Sequence, residues 1–65
     1  MILKQKISDQ IEVQLQDLTG NWRTFAITMN DSQLINAQMK ELKDRYPDMR
    51  VRAIDSSGRV VDLMP

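Results

Sequence analysis

Ile11-Glu12-Val13-Gln14-Leu15-Gln16-Asp17-Leu18-Thr19-Gly20-Asn21-Trp22 decides the fold. Ile11, Val13 and Leu15 alternate with Glu12, Gln14 and Gln16, the period-2 pattern of a strand with one wet face. The run can be extended back to Ile7. Thr19-Gly20-Asn21 supplies turn chemistry, with Gly20 free to take positive φ. Trp22 to Met29 is rich in aromatic and β-branched residues and reads as the returning strand. A hairpin therefore opens the chain.

Outward from it, Asn30-Asp31-Ser32-Gln33 reads as a helix start, with Asn30 capping and Gln33 completing a variant capping box. Ile35, Met39, Leu42 and Tyr46 recur at i, i+4, i+7 and i+11 as one apolar stripe, which Leu34 widens. Lys40, Glu41, Lys43 and Asp44 fall on the wet side. Pro47 stops the helix near Tyr46. Met49 to Ile54 is a third strand and Val60 to Met64 a fourth, joined by a loop at 56–58 closed by Gly58. The expected order is ββαββ: an α+β fold with one helix packed on a four-stranded, mainly antiparallel sheet, residues 1–65 forming a single small domain. Strand order is left open between one that sets the first and last strands together at the centre and a meander.

The turns set an expected register. A loop at 19–21 pairs Leu15 with Phe25, Val13 with Ile27 and Ile11 with Met29, all facing the helix. A loop at 56–58 pairs Asp55 with Arg59, Ala53 with Val61 and Val51 with Leu63. The outer face then receives Ile54 with Val60, Arg52 with Asp62, and Arg50 with Met64, together with Leu18 and Trp22. An uncovered sheet face should read polar. Leu18, Trp22, Ile54, Val60 and Met64 make this one partly apolar, and such patches tend to mark interaction sites.

Composition narrows the chemistry. The 65 residues hold neither His nor Cys, so thiol nucleophiles, thiolate or imidazole metal ligands and a neutral-pH proton shuttle are excluded. Nine basic and nine acidic residues cancel, unlike the basic excess of a nonspecific DNA binder. No paired carboxylates and no base beside Ser56-Ser57 suggest catalysis. The expectation is a non-enzyme with no cofactor. Ile2 and Leu3 before Lys4 do not make a signal peptide's apolar run, and no stretch approaches the roughly 20 apolar residues of a membrane span. The cytoplasm is the expected location. A chain this short buries only roughly 60% of its unfolded surface, and without disulfides small domains often gain stability by association.

The segment Arg45-Tyr46-Pro47-Asp48-Met49-Arg50-Val51-Arg52-Ala53-Ile54-Asp55, followed by Gly58-Arg59-Val60-Val61-Asp62, resembles small bacterial and prophage reading frames of unassigned function. The resemblance covers the C-terminal half and carries no functional residues with it. It implies a phage or mobile-element setting, in which tiny proteins often bind a host protein.

The expected function is therefore a non-catalytic interaction module that dimerises or binds a host protein through its open sheet face or an edge. Trp22, Arg50, Arg52, Ile54 and Val60 are the candidate contact residues. Trp22 and Ile54 would be apolar anchors, Arg50 a directional donor and Arg52 an orienting group. The alternative is a nucleic-acid or phosphate-ligand binder using Arg23, Arg50, Arg52 and Arg59, with Trp22 as a stacking platform. Cross-strand Asp17, Asp55 and Asp62 weigh against it, because each would neutralise one of those arginines.

Overall fold

A computed structural model describes residues 10–65, so the suggested start near Ile7 lies outside the described residues. The elements are β1 (Gln10–Gln16), β2 (Trp22–Met29), α1 (Ser32–Arg45), β3 (Val51–Ile54) and β4 (Val60–Met64). They form the expected ββαββ α+β arrangement, one helix on one open sheet of order β2-β1-β3-β4. Every neighbouring pair is antiparallel. β1 and β3 occupy the centre, and β2 and β4 are the edges. The helix is the crossover that carries the chain from the edge strand β2 over β1 to β3. No helix among the described residues is long and apolar enough to cross a membrane.

The two hairpins close with the same device. In the first the loop is Leu18–Gly20, one residue earlier than the expected 19–21, because Asp17 and Asn21 are the closing pair: the Asp17 N–H donates to the Asn21 carbonyl at 2.8 Å. Gly20, at φ 91°, takes the left-handed position that ends a three-residue loop. Gly58, at φ 88°, does the same after Ser56-Ser57, where Asp55 and Arg59 close the loop as expected.

Each hairpin also carries one extra residue. β1 and β2 pair as Gln16 with Trp22, Leu15 with Arg23 and Gln14 with Thr24, and then skip Phe25 so that Val13 meets Ala26 and Ile11 meets Thr28. In the second hairpin Ile54 meets Val60 as expected, and the register then skips Val61. Ala53 therefore meets Asp62, Arg52 meets Leu63 and Val51 meets Met64. Such β-bulges put two successive side chains on one side and flip everything beyond them. Ile27 and Met29, expected inside, are turned outward. Phe25 stays on the helix side, its ring 5.9 Å from that of Tyr46 in an edge-on arrangement.

The helix caps with Asp31 rather than Asn30. The Asp31 carboxylate accepts the N–H groups of Gln33 (2.9 Å) and Leu34 (3.1 Å), satisfying two of the free donors of the first turn. At the other end Lys43 donates to the carbonyls of Pro47 (3.0 Å) and Met49 (2.6 Å), fastening the exit loop to the helix. The stripe Ile35, Met39 and Leu42 is buried against Ile11, Val13, Leu15, Val51 and Ala53, and these eight residues are the core. Leu34 does not widen the stripe; it stays 45% exposed. The helix lies over β2, β1 and β3 and makes little contact with β4. The helix thus leaves Val61 on its own side of β4 exposed, while Val60 and Leu63 are exposed on the open face.

Candidate interaction surface

The sheet face away from the helix is organised around a polar centre. Residues paired across the ladders share a side, so Ile27, Glu12, Ile54 and Val60 form one row across the sheet. Thr24, Gln14, Arg52 and Leu63 form the next. Trp22 and Gln16 begin a third. The Gln16 N–H donates to the Arg50 carbonyl at 2.9 Å, so Arg50 continues that row.

Every polar group in the centre is tied to another. Thr24 donates to Glu12 Oε1 at 2.6 Å. Gln14 Nε2 reaches the same carboxylate oxygen at 3.2 Å and Thr24 Oγ1 at 3.1 Å. Arg52 Nε donates to Gln14 Oε1 at 2.8 Å, and its guanidinium lies 4.2 Å from the centre of the Trp22 ring. Gln14 is buried beneath these neighbours. The chain of contacts Trp22–Arg52–Gln14–Thr24–Glu12 thus holds β2, β1 and β3 in one rigid plate. Among the described residues no buried side-chain polar atom lacks a partner.

Of the candidate contact residues, Trp22, Arg52, Ile54 and Val60 are brought together on this face, with Arg50 at its end. Arg52 does not pair with Asp62 as expected, because the bulge at Val61 moves Asp62 opposite Ala53 and puts Leu63 across from Arg52. Arg50 has no cross-strand Met64 for the same reason: Met64 pairs with Val51 and packs on the core. Leu18 sits at the tip of the first turn, 91% exposed, rather than on the face. Leu63, Ile27 and Met29 take the places that Leu18 and Met64 leave. The apolar surface therefore forms two margins, Ile27 and Met29 on the β2 side and Ile54, Val60 and Leu63 on the β4 side, flanking the polar plate.

Among the described residues, the two turn aspartates are the titratable groups whose pKa is clearly shifted. Hydrogen bonds from the Thr19 hydroxyl (2.6 Å) and Arg23 (2.8 Å), then from the backbone N–H groups of Asn21 and Thr19, hold the Asp17 carboxyl well below the usual carboxylate range. Asp55 is lowered to about 2, chiefly by the Ser57 hydroxyl and the Arg59 N–H and side chain. These contacts exist only in the folded hairpins, and they favour the charged form. The stabilisation they provide is fully present above the unfolded carboxylate pKa of about 4 and is lost as pH falls through that value toward about 2 and below. Acid titration of the Asp17→Asn/Asp55→Asn variant should accordingly show a flatter loss of stability below about pH 4 than the parent chain. Parallel curves would assign acid sensitivity to other carboxylates.

Carboxylates held this firmly ionised make poor general acids, and no cluster of three or more acidic residues that could hold a metal ion occurs among the described residues. No protein-family model, curated protein or solved structure matches the chain.

Proposed function

We propose that this chain is a non-catalytic interaction module, of a phage or mobile-element type, that dimerises or binds a host protein through its open sheet face or an edge. The observation that carries this reading is the make-up of the open face. A hydrogen-bonded plate fixes its shape, while Ile27 (63% exposed), Val60 (51%) and Leu63 (41%) leave apolar surface in water beside it. Such a surface binds by shape and apolar burial at low ordering cost, because its central side chains are already immobilised. Trp22, Arg52, Ile54 and Val60 supply the contact, and Arg50 supplies a charged donor at its end.

The nucleic-acid alternative draws less support. Arg23 and Arg59 are engaged by Asp17 and Asp55. Arg52 covers one face of the Trp22 ring on which a base would stack. Affinity capture from a lysate of the source cell, with nuclease treatment, separates the two readings. The expected result is a stoichiometric protein that survives nuclease. Capture that disappears with nuclease would transfer the function to the arginines.

A further inference from the structure

Among the described residues nothing pairs with the outer edge of β2, and this free edge has a symmetry that the open face does not explain. The Asp17–Asn21 backbone bond turns Asn21 toward β1, so alternation turns Arg23 toward β1 as well and leaves the backbone groups of Trp22 and Thr24 facing the free edge. Beyond the bulge Ala26 and Thr28 pair with Val13 and Ile11, and Ile27 and Met29 face the free edge. The side chains follow the same rhythm. Trp22, Thr24, Ile27 and Met29 lie on the open face, and Arg23, Phe25, Ala26 and Thr28 lie on the helix side. Read backwards, this sequence of sides is unchanged, because the bulge sits at the middle of the strand.

A strand with that property can pair with itself. In an antiparallel pair, opposed residues must lie on the same side and have their backbone groups either both turned toward each other or both turned away. Setting Trp22 against Met29 of a second copy also sets Arg23 against Thr28, Thr24 against Ile27, and Phe25 against Ala26. All eight positions match, a one-residue slip in either direction matches only the residue set opposite its own copy, and the dyad passes between Phe25 and Ala26. There, Phe25, Ala26, Gln38, Glu41, Leu42 and Arg45 line a shallow cavity of about 100 Å³ between β2 and the helix. The second copy's Phe25, opposite Ala26 and on the same side, is directed to it. The other edge is less suited to such pairing. β4 has five residues against the eight of β2. Its Leu63 N–H, which alternation aims at the free edge, is already taken by the Asp62 carboxylate at 2.8 Å, a common way of blunting an edge.

We infer that β2 pairs antiparallel with β2 of a second copy in this register, joining two four-stranded sheets into one. The inference rests on the reading of the chain as an interaction module and names one of its partners as itself. The two open faces become continuous, with Trp22 of one copy beside Met29 of the other.

Two experiments test it. Sedimentation over a range of concentrations should show a dimer, and Ile27→Pro, which removes an N–H aimed at the free edge, should weaken it roughly 10–30-fold. A chain that stays monomeric throughout overturns the pairing. Should Ile27→Pro fail to fold, cysteine pairing decides, since the native chain has no cysteine. An equimolar mixture of Arg23→Cys and Thr28→Cys chains should oxidise to the mixed dimer far beyond the roughly one-half share that random pairing gives. A 1:2:1 ratio of homodimer, mixed dimer and homodimer would overturn the register. Neither result touches partner capture through Ile54 and Val60, so failure of the dimer and failure of the open-face reading are separable.

Discussion

Met39→Ala is expected to remove about 2–5 kcal/mol of stability, from the lost apolar transfer and the cavity left behind. Met39 is the largest helix residue with no exposed surface, and it stands where the stripe of α1 meets β1 and β3. A domain of this size has a total stability on the order of 3–10 kcal/mol, so the variant should be largely unfolded or close to it. Leu34→Ala is the matched control on the same helix. Leu34 is 45% exposed, and its loss should cost no more than about 0.5 kcal/mol. Urea unfolding of the two variants checks both values. Equal midpoints would mean that the helix is not seated on the sheet through this stripe.

The second large effect concerns binding. In the Ile54→Ala/Val60→Ala variant the β4-side apolar margin is cut back while the plate of Glu12, Gln14, Thr24 and Arg52 stays intact. Val60 is half exposed and Ile54 only partly buried, so the fold should survive with an unchanged far-ultraviolet spectrum. Truncating an apolar anchor of an interface costs about 2 kcal/mol or more, roughly 30-fold in affinity. The captured partner should therefore bind at least that much more weakly. Its affinity for the parent chain should also vary little with salt, whereas an arginine–phosphate interface would weaken steeply. Unaltered affinity of the variant would remove Ile54 and Val60 from the contact.

Much of this architecture was legible in the residues. The alternation of Ile11, Val13 and Leu15, the spacing of Ile35, Met39 and Leu42, and Gly58 after Ser56-Ser57 gave the element order, the core of the helix and the second turn. So did Asp17 with Arg23 and Asp55 with Arg59, because turn chemistry puts these pairs close together whatever the strands do. The bulges were not legible. A bulge is a mismatch in residue count between two strands, and nothing in Thr24-Phe25-Ala26 or Val60-Val61-Asp62 marks it locally. One extra residue at Phe25 was enough to send Ile27 and Met29 outward, and one at Val61 exchanged Asp62 for Leu63 opposite Arg52. Trp22, Ile54 and Val60 kept their expected side because they lie between the turn and the bulge, where the register is still set by the turn. The first loop was misplaced by one residue because Thr19-Gly20-Asn21 is itself good turn sequence. What chose the other loop was the Asp17 carboxylate, which gathers the Thr19 N–H and hydroxyl and the Asn21 N–H. Strand order had no local signature at all.

The most direct measurement of the open-face contact is a map of backbone amide chemical shifts in the chain with and without its captured partner. The largest changes should fall at Trp22, Arg52, Ile54, Val60 and Leu63, with the outer helix positions Lys40 and Asp44 unmoved. Changes concentrated on Lys40, Asp44 and their helix neighbours, with the sheet face silent, would contradict the account.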